Sequence, residues 1–216
     1  MYLRVISQNL PYFLGGLVTT IEVAFFGAVA GLLIAVITAS VRLSAPPLLK
    51  APFIAYVEAF RNTPLLVQAL ILFFGPTEFR LHFDGFQTLA VVLALNTGAY
   101  MSEIIRGGLQ SVPRGQLEAA ASIGLSGRRT FTEIVLPQAI RAVYPAMSNQ
   151  FIAVVLASSI GVIIGAGELT SRVLEVNSRT FRTTELLLFL TVAYVALALS
   201  MTTVIRAVGR RLERAY

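Results

Sequence analysis

Apolar residues in this chain gather into long blocks separated by polar joints. Crossing the roughly 30 Å hydrocarbon core of a bilayer takes about 20 mainly apolar helical residues. The blocks run from about Phe13 to Val41, Phe53 to Phe74, Phe86 to Ile105, Tyr144 to Ile164 and Leu186 to Ile205. Lipid offers backbone amides no partner, so helices are expected, and nothing alternates like a barrel strand. The first block is long enough for a tilted span or for an interfacial turn at Leu10 and Pro11. No charged leader with a small-residue cleavage site precedes it, so no removable signal peptide is expected. The pattern predicts an all-α, polytopic membrane protein of about five transmembrane helices, a single domain over residues 1–216.

Composition agrees with that pattern. The 216 residues are 56% hydrophobic and 13% charged, with a mean hydropathy of +0.77, whereas a soluble domain carries about 25% charged residues. Such a chain cannot cover its surface with polar groups. The lack of cysteine excludes a disulfide framework, a thiolate zinc site and an iron–sulfur cluster. The one histidine, His82, stands beside Arg80 and Asp84 in a short loop; a single imidazole is a poor metal site, and no metal is expected.

A net charge of +6 would suit nucleic acid only if clustered on an exposed face. Instead the basic residues follow the joints. One side holds Arg42 and Lys50, then Arg106, Arg114, Arg128, Arg129 and Arg141, then Arg206, Arg210, Arg211 and Arg214 in the tail. The other side has Arg4, Arg80, Arg172, Arg179 and Arg182, while Arg61 sits near the inner end of the second span. By the positive-inside rule the N-terminus is expected outside and the C-terminus in the cytoplasm. No nucleic-acid partner is needed to explain the charge.

Small residues at spacings of about four, in Gly27, Gly31 and Ala35 and in Ala94 and Gly98, predict close helix packing. The outer connection, about 165–183, carries Glu168, Arg172, Glu175, Arg179 and Arg182 at spacings that predict a solvated charged helix. The inner connection, about 107–136, is the long polar stretch of the chain. From Pro113 it reads PRGQLEAAASIGLSGRRTFTEIVLP. Proline near the start, helix formers from Gln116 to Ala121 and Gly124 as terminator predict a short helix with a stop. Ser126 is expected to cap a second helix running toward Pro137. Leu117, Ala120, Ala121 and Gly124 share one face of the first helix, a smooth ridge suited to a groove in another protein.

These residues resemble the permease subunits of ATP-binding-cassette importers, specifically the polar amino acid uptake family. That family's cytoplasmic loop carries Glu-Ala-Ala, three residues, Gly, nine residues, Ile, one residue, Leu-Pro; Glu118, Ala119, Ala120, Gly124, Ile134, Leu136 and Pro137 fit it. FRNTPLLVQ from Phe60, NTGAYMSEIIRGGLQSVPRGQ from Asn96 and LPQAIRAVYPAMSNQF from Leu136 are similar too. The resemblance implies a type I importer permease in a bacterial cytoplasmic membrane, whose short inner helix is a coupling helix docked on a separate ATPase subunit. It also implies a second permease, identical or related, an extracytoplasmic substrate-binding protein, and a polar amino acid or related amine or opine as cargo. ATP and Mg would be held by the ATPase, with no cofactor in this chain.

Charges in or near spans are functional candidates because burying them in lipid is costly. Glu58 with Arg61 and Glu103 with Arg106 are spaced to pair along their own helices, as structural ion pairs. Glu22 has no such neighbour and is a candidate for the substrate path, with Asn96, Asn149, Gln150, Ser158 and Ser159. Amides and hydroxyls serve equally as interhelical hydrogen bonds. The family pattern places Lys-Asp or Lys-Asn before the Thr-Ser or Ser-Ser of the fourth span, where this chain has Leu156 and Ala157. Lys50, the sole lysine, lies in LLKAP, so no Gly-rich phosphate loop ends in Gly-Lys-Ser/Thr. No residue cluster suggests catalysis, and an enzyme is not expected. The competing readings are an ion-coupled secondary carrier or channel subunit, disfavoured by the lack of a visible repeat, and a non-transporting membrane scaffold or receptor.

Overall fold

The computed structural model describes residues 4–215, with side chains as far as Gly209. Residues 1–3 and 216, and the side chains of Arg210, Arg211 and Arg214 that entered the charge count, lie outside the described residues. The elements are α1 (Arg4–Ser44), α2 (Pro47–Asn62), α3 (Leu65–Phe74), α4 (Gly85–Gln110), α5 (Arg114–Ser122), α6 (Gly127–Arg129), α7 (Leu136–Ala157), α8 (Leu169–Thr180) and α9 (Thr183–Ala215). A 3-10 turn at Gly75–Phe79 extends α3, a π-helical stretch at Thr130–Val135 joins α6 to α7, and a 3-10 stretch at Ser158–Ile164 follows α7.

Among the described residues, four continuous helical runs, Arg4–Ser44, Gly85–Gln110, Gly127–Ile164 and Thr183–Gly209, are long and apolar enough to cross a membrane. The second predicted span is different. It is broken between α2 and α3, which meet at a 110° bend. Thr63 precedes Pro64 and is extended, with φ −107° and ψ 133°, because the proline ring disfavours helical backbone in the residue before it.

Contacts fix the direction of each helix. Gly27 meets Leu93 and Gly31 meets Thr97, while Arg42 reaches Glu103, so α1 and α4 run parallel. A Cβ on Gly27 or Gly31 would lie 2.7 or 2.8 Å from those neighbours, so only glycine permits this approach. Gln68 meets Asn96, and Phe73 packs on the cluster containing Leu89, so α3 runs antiparallel to α4. Gly108 faces Val143, whereas Val154 shares a core with Leu93; α7 therefore also opposes α4. Phe189 packs on Phe13 and the Tyr144 hydroxyl donates to the Ile205 carbonyl, so α9 runs back beside α7. The C-terminal ends of α1 and α9 consequently share one end of the bundle with the connection between α4 and α7. The N-terminus of α1 and α8 occupy the opposite end.

Three sequence expectations change. Pro11 sits inside α1 with helix on both sides, not at an interfacial turn; the carbonyl it deprives of a donor, that of Ser7, lies in an exposed stretch. The helix expected to run from Ser126 toward Pro137 continues past it into α7, and the wide π-helical turn just before Pro137 relieves the clash of its ring with the preceding turn. The outer connection is not merely solvated. Leu169, Val173 and Val176 bury one face of α8 against Phe13 and Leu186. Glu168, expected on the charged face, is fully buried and caps α8 by accepting from the amides of Thr170 and Ser171.

Candidate functional site

The connection between α4 and α7 starts at Ser111 and turns into α5 behind Pro113. The short helix ends at Gly124, with φ +77°. The Leu125 amide donates to the Ala120 carbonyl at 3.1 Å and the Gly124 amide to the Ala121 carbonyl at 3.0 Å. This pair of bonds closes a helix end through a left-handed residue, the conformation glycine adopts without penalty. The Gln138 amide bonds the Gln116 side chain and the Ile134 carbonyl, tying α5 to the start of α7. Ser126 has the backbone of a cap, but its side chain makes no capping bond.

The predicted ridge is only partly presented. Ala120 is buried, turned toward the body of the protein, whereas Glu118, Ala119, Ala121, Ile123 and Gly124 are exposed. The reason is that α5 lies against the π-helical stretch, which consumes one face of a nine-residue helix. Ile134 and Pro137 are half-buried and Leu136 is exposed, so the far end of the motif belongs to the joint with α7.

Within the bundle, Gln68 bridges the break before α3, and the Tyr100 hydroxyl adds a bond to the Arg61 carbonyl at 3.4 Å. Gln68 is buried, and its amide nitrogen donates to the carbonyls of Phe60 and Thr63, both at 2.8 Å. Those are among the carbonyls that the interrupted helix leaves unpaired. Its oxygen accepts from Asn96 at 3.2 Å. Asn96 in turn lines a cavity of about 230 Å³ between α4 and α7, with Thr97, Tyr100, Gln150 and Ala157. The side chains that line this cavity are uncharged, and the Arg61 guanidinium lies over the Tyr100 ring.

The other predicted path residues are dispersed. Asn149 is exposed one position from Gln150. Ser158 is fully buried and donates to the Val155 carbonyl. Ser159 lines a separate cavity of about 360 Å³ with Thr170, Thr191 and Tyr194. Glu22 is exposed on α1, among Val18, Phe25 and Val29 and away from the face packed on α4. The ion pairs also rearrange. Glu103 bonds Arg106 at 2.7 Å and gathers Arg42 and, at 4.0 Å, Arg61. The expected Glu58–Arg61 pair is absent among the described residues: Arg61 faces α4 and lies over the Tyr100 ring, and Glu58 bonds Asn62.

The family described as "Binding-protein-dependent transport system inner membrane component" matches residues 27–214. This chain belongs to that family, the permeases of ATP-binding-cassette importers. The permease is 35% identical over 206 residues to the L-cystine transport system permease protein TcyB of Bacillus subtilis, covering 94% of this chain and 88% of that one. It is 38% identical over 187 residues to the octopine transport system permease protein OccM of Rhizobium radiobacter, covering 82% and 76%. The crystal structure of an amino acid ABC transporter with histidines has a chain that superposes on it with a TM-score of 0.89 at 32% identity, covering 95% of this chain and 96% of that one.

Sequence reasoning missed Gln68, Thr97 and Tyr100 as members of the permease's polar interior. Gln68 carried a signal: a polar residue shortly after a proline, inside an otherwise apolar block. Ala157, where the resemblance leads one to expect a polar residue, lines the cavity. The departure noted in the sequence therefore falls on the wall of the space itself.

Proposed function

We propose that the permease forms half of the membrane path of an amino acid importer, with α5 and the Gly124 turn as the element that receives force from a separate ATPase. The observation that carries the reading is the closed helix end at Gly124, on a helix tied to α7 through Gln116 and Gln138, at the same end as the C-termini of α1 and α9. A short element with two covalent joins to membrane helices and an exposed surface of Glu118, Ala119, Ala121 and Gly124 suits transmission of rigid-body movement. Arg42, Arg106, Arg114, Arg128, Arg129 and Arg141 lie toward this end. The positive-inside rule makes it cytoplasmic and puts the N-terminus outside.

In this reading ATP and Mg bind to the partner ATPase and this chain holds no cofactor. A second permease, identical or related, completes the path, and an extracytoplasmic binding protein delivers the cargo to the α8 end. The cavity at Asn96, Thr97, Tyr100 and Gln150 supplies amide and hydroxyl groups for a small polar solute. Because its wall is uncharged, a polar amino acid without net charge suits it better than a cation or an anion, whose burial would go uncompensated.

The test is uptake by the reconstituted complex of permease, copurified ATPase and binding protein, against a panel of cationic, neutral and acidic amino acids. ATP-dependent uptake of a neutral member is expected. Accumulation that continues undiminished without the ATPase would remove the proposal and favour an ion-coupled carrier.

A further inference from the structure

At the end of the bundle opposite the α4–α7 connection, a groove of about 830 Å³ opens where α8 passes into α9 beside α1. Its wall is apolar, made by Ile6, Leu188, Phe189 and Val192, and its mouth carries Arg182 and Glu185. The mouth lies at the start of the last membrane helix, at the depth where apolar helix gives way to charged residues. This is where a lipid changes from acyl chain to headgroup.

The two charges are only loosely engaged with each other. The Arg182 guanidinium donates to Glu185 Oε1 at 3.4 Å, at the long limit of a hydrogen bond. Oε2 of Glu185 is buried, without a hydrogen-bond partner among the described residues, so a molecule in the groove can meet only Oε1 of this carboxylate. The Glu185 side chain is 14% exposed and that of Arg182 is 44% exposed. The Arg therefore faces outward while the carboxylate sits deeper in the mouth.

We propose that this groove binds a phospholipid with a primary-amine headgroup, of the phosphoethanolamine type. One acyl chain lies along Ile6, Leu188, Phe189 and Val192. The phosphate meets Arg182, and the ammonium donates to Oε1 of Glu185, the oxygen not shut away from the groove. An Arg–Glu couple is complementary to a zwitterion of this order. An anionic glycerol headgroup would satisfy Arg182 and leave Glu185 facing a negative neighbour. A choline headgroup has no N–H to give the carboxylate, and so forgoes the charge-assisted bond.

The test uses the full chain, purified in mild detergent and exchanged into nanodiscs of equal parts phosphatidylethanolamine, phosphatidylcholine and phosphatidylglycerol. Retained lipids are counted by native mass spectrometry after detergent stripping. A several-fold enrichment of phosphatidylethanolamine over the other two is expected. Glu185→Gln should reduce that preference over phosphatidylcholine, and Arg182→Ala should lower retention of all three. Leu188→Trp fills the groove without touching either charge, and should lose the lipid while keeping the wild-type melting temperature in detergent. Equal retention of the three lipids, selective retention of phosphatidylglycerol, or enrichment unchanged in both Glu185→Gln and Leu188→Trp would overturn the proposal.

Discussion

Gly124 allows strain and crowding to be separated at the connection between α4 and α7. Its φ of +77° is left-handed, and a Cβ added there meets nothing within 4 Å among the described residues. Within the chain, the cost of Gly124→Ala is therefore backbone alone, about 1–2 kcal/mol for an L-residue in that region. At about 1.4 kcal/mol per factor of ten, that is a shift of roughly 5- to 30-fold against the closed helix end. Two amides, those of Gly124 and Leu125, are released when the end opens. Asparagine tolerates the left-handed conformation better than alanine, so Gly124→Asn should cost less despite being larger.

Hydrogen exchange of the permease in nanodiscs reads the strain directly. Protection at residues 124 and 125 should fall most in Gly124→Ala and less in Gly124→Asn, and substrate-stimulated ATPase activity of the assembled complex should follow the same order. If contact with the partner were the limiting feature, the order would reverse, with Asn worse than Ala and protection unchanged in the isolated permease. Wild-type protection and wild-type stimulation in Gly124→Ala would refute the role assigned to this turn.

Gly31→Ala should destabilise the permease by about 1–3 kcal/mol, because a Cβ meets Thr97 at 2.8 Å and α1 must move from α4. Gly107→Ala, with nothing within 4 Å, should be neutral or gain up to about 1 kcal/mol of helix propensity; thermal melts of the two side by side check the contrast, and equal melts would contradict it. Gln68→Leu removes the donor to the Phe60 and Thr63 carbonyls, a loss of about 2 kcal/mol or more, so a lower melting temperature with impaired uptake is expected. Ala157→Asp places a carboxylate on the uncharged cavity wall, and uptake competition should shift at least several-fold toward cationic amino acids; an unchanged preference would argue that this cavity does not touch cargo.

The helices were legible because apolar length is a strong signal, and the α1–α4 contact because glycine repeats at spacings of about four mark a close approach. What failed was reasoning confined to one helix. Glu58 and Arg61 have pairing spacing, yet Arg61 turns to α4, over the Tyr100 ring and within 4.0 Å of Glu103, while Glu58 bonds Asn62. Glu168 looked like part of a solvated charged face, but a carboxylate can be fully buried when two backbone amides at a helix start receive it. Ala120 fits the motif and the ridge alike; only the packing of α5 on the π-helical stretch reveals that it faces inward. The cavity was half visible, since Asn96 and Gln150 were singled out but the residues beside them were not.

The break in the second span and the polar cavity form one construction. An interrupted helix in a membrane leaves carbonyls that lipid cannot satisfy, at several kcal/mol each, and Gln68 serves two of them with a single amide nitrogen. Its remaining oxygen then fixes Asn96 by accepting that residue's amide N–H. The orientation leaves the Asn96 carbonyl oxygen outside this bond, in the group of polar side chains around the cavity. A straight second span would need no Gln68, and Asn96 would then have no partner fixing its amide. The bend thus orients Asn96, one polar member of the cavity wall, inside an apolar bundle.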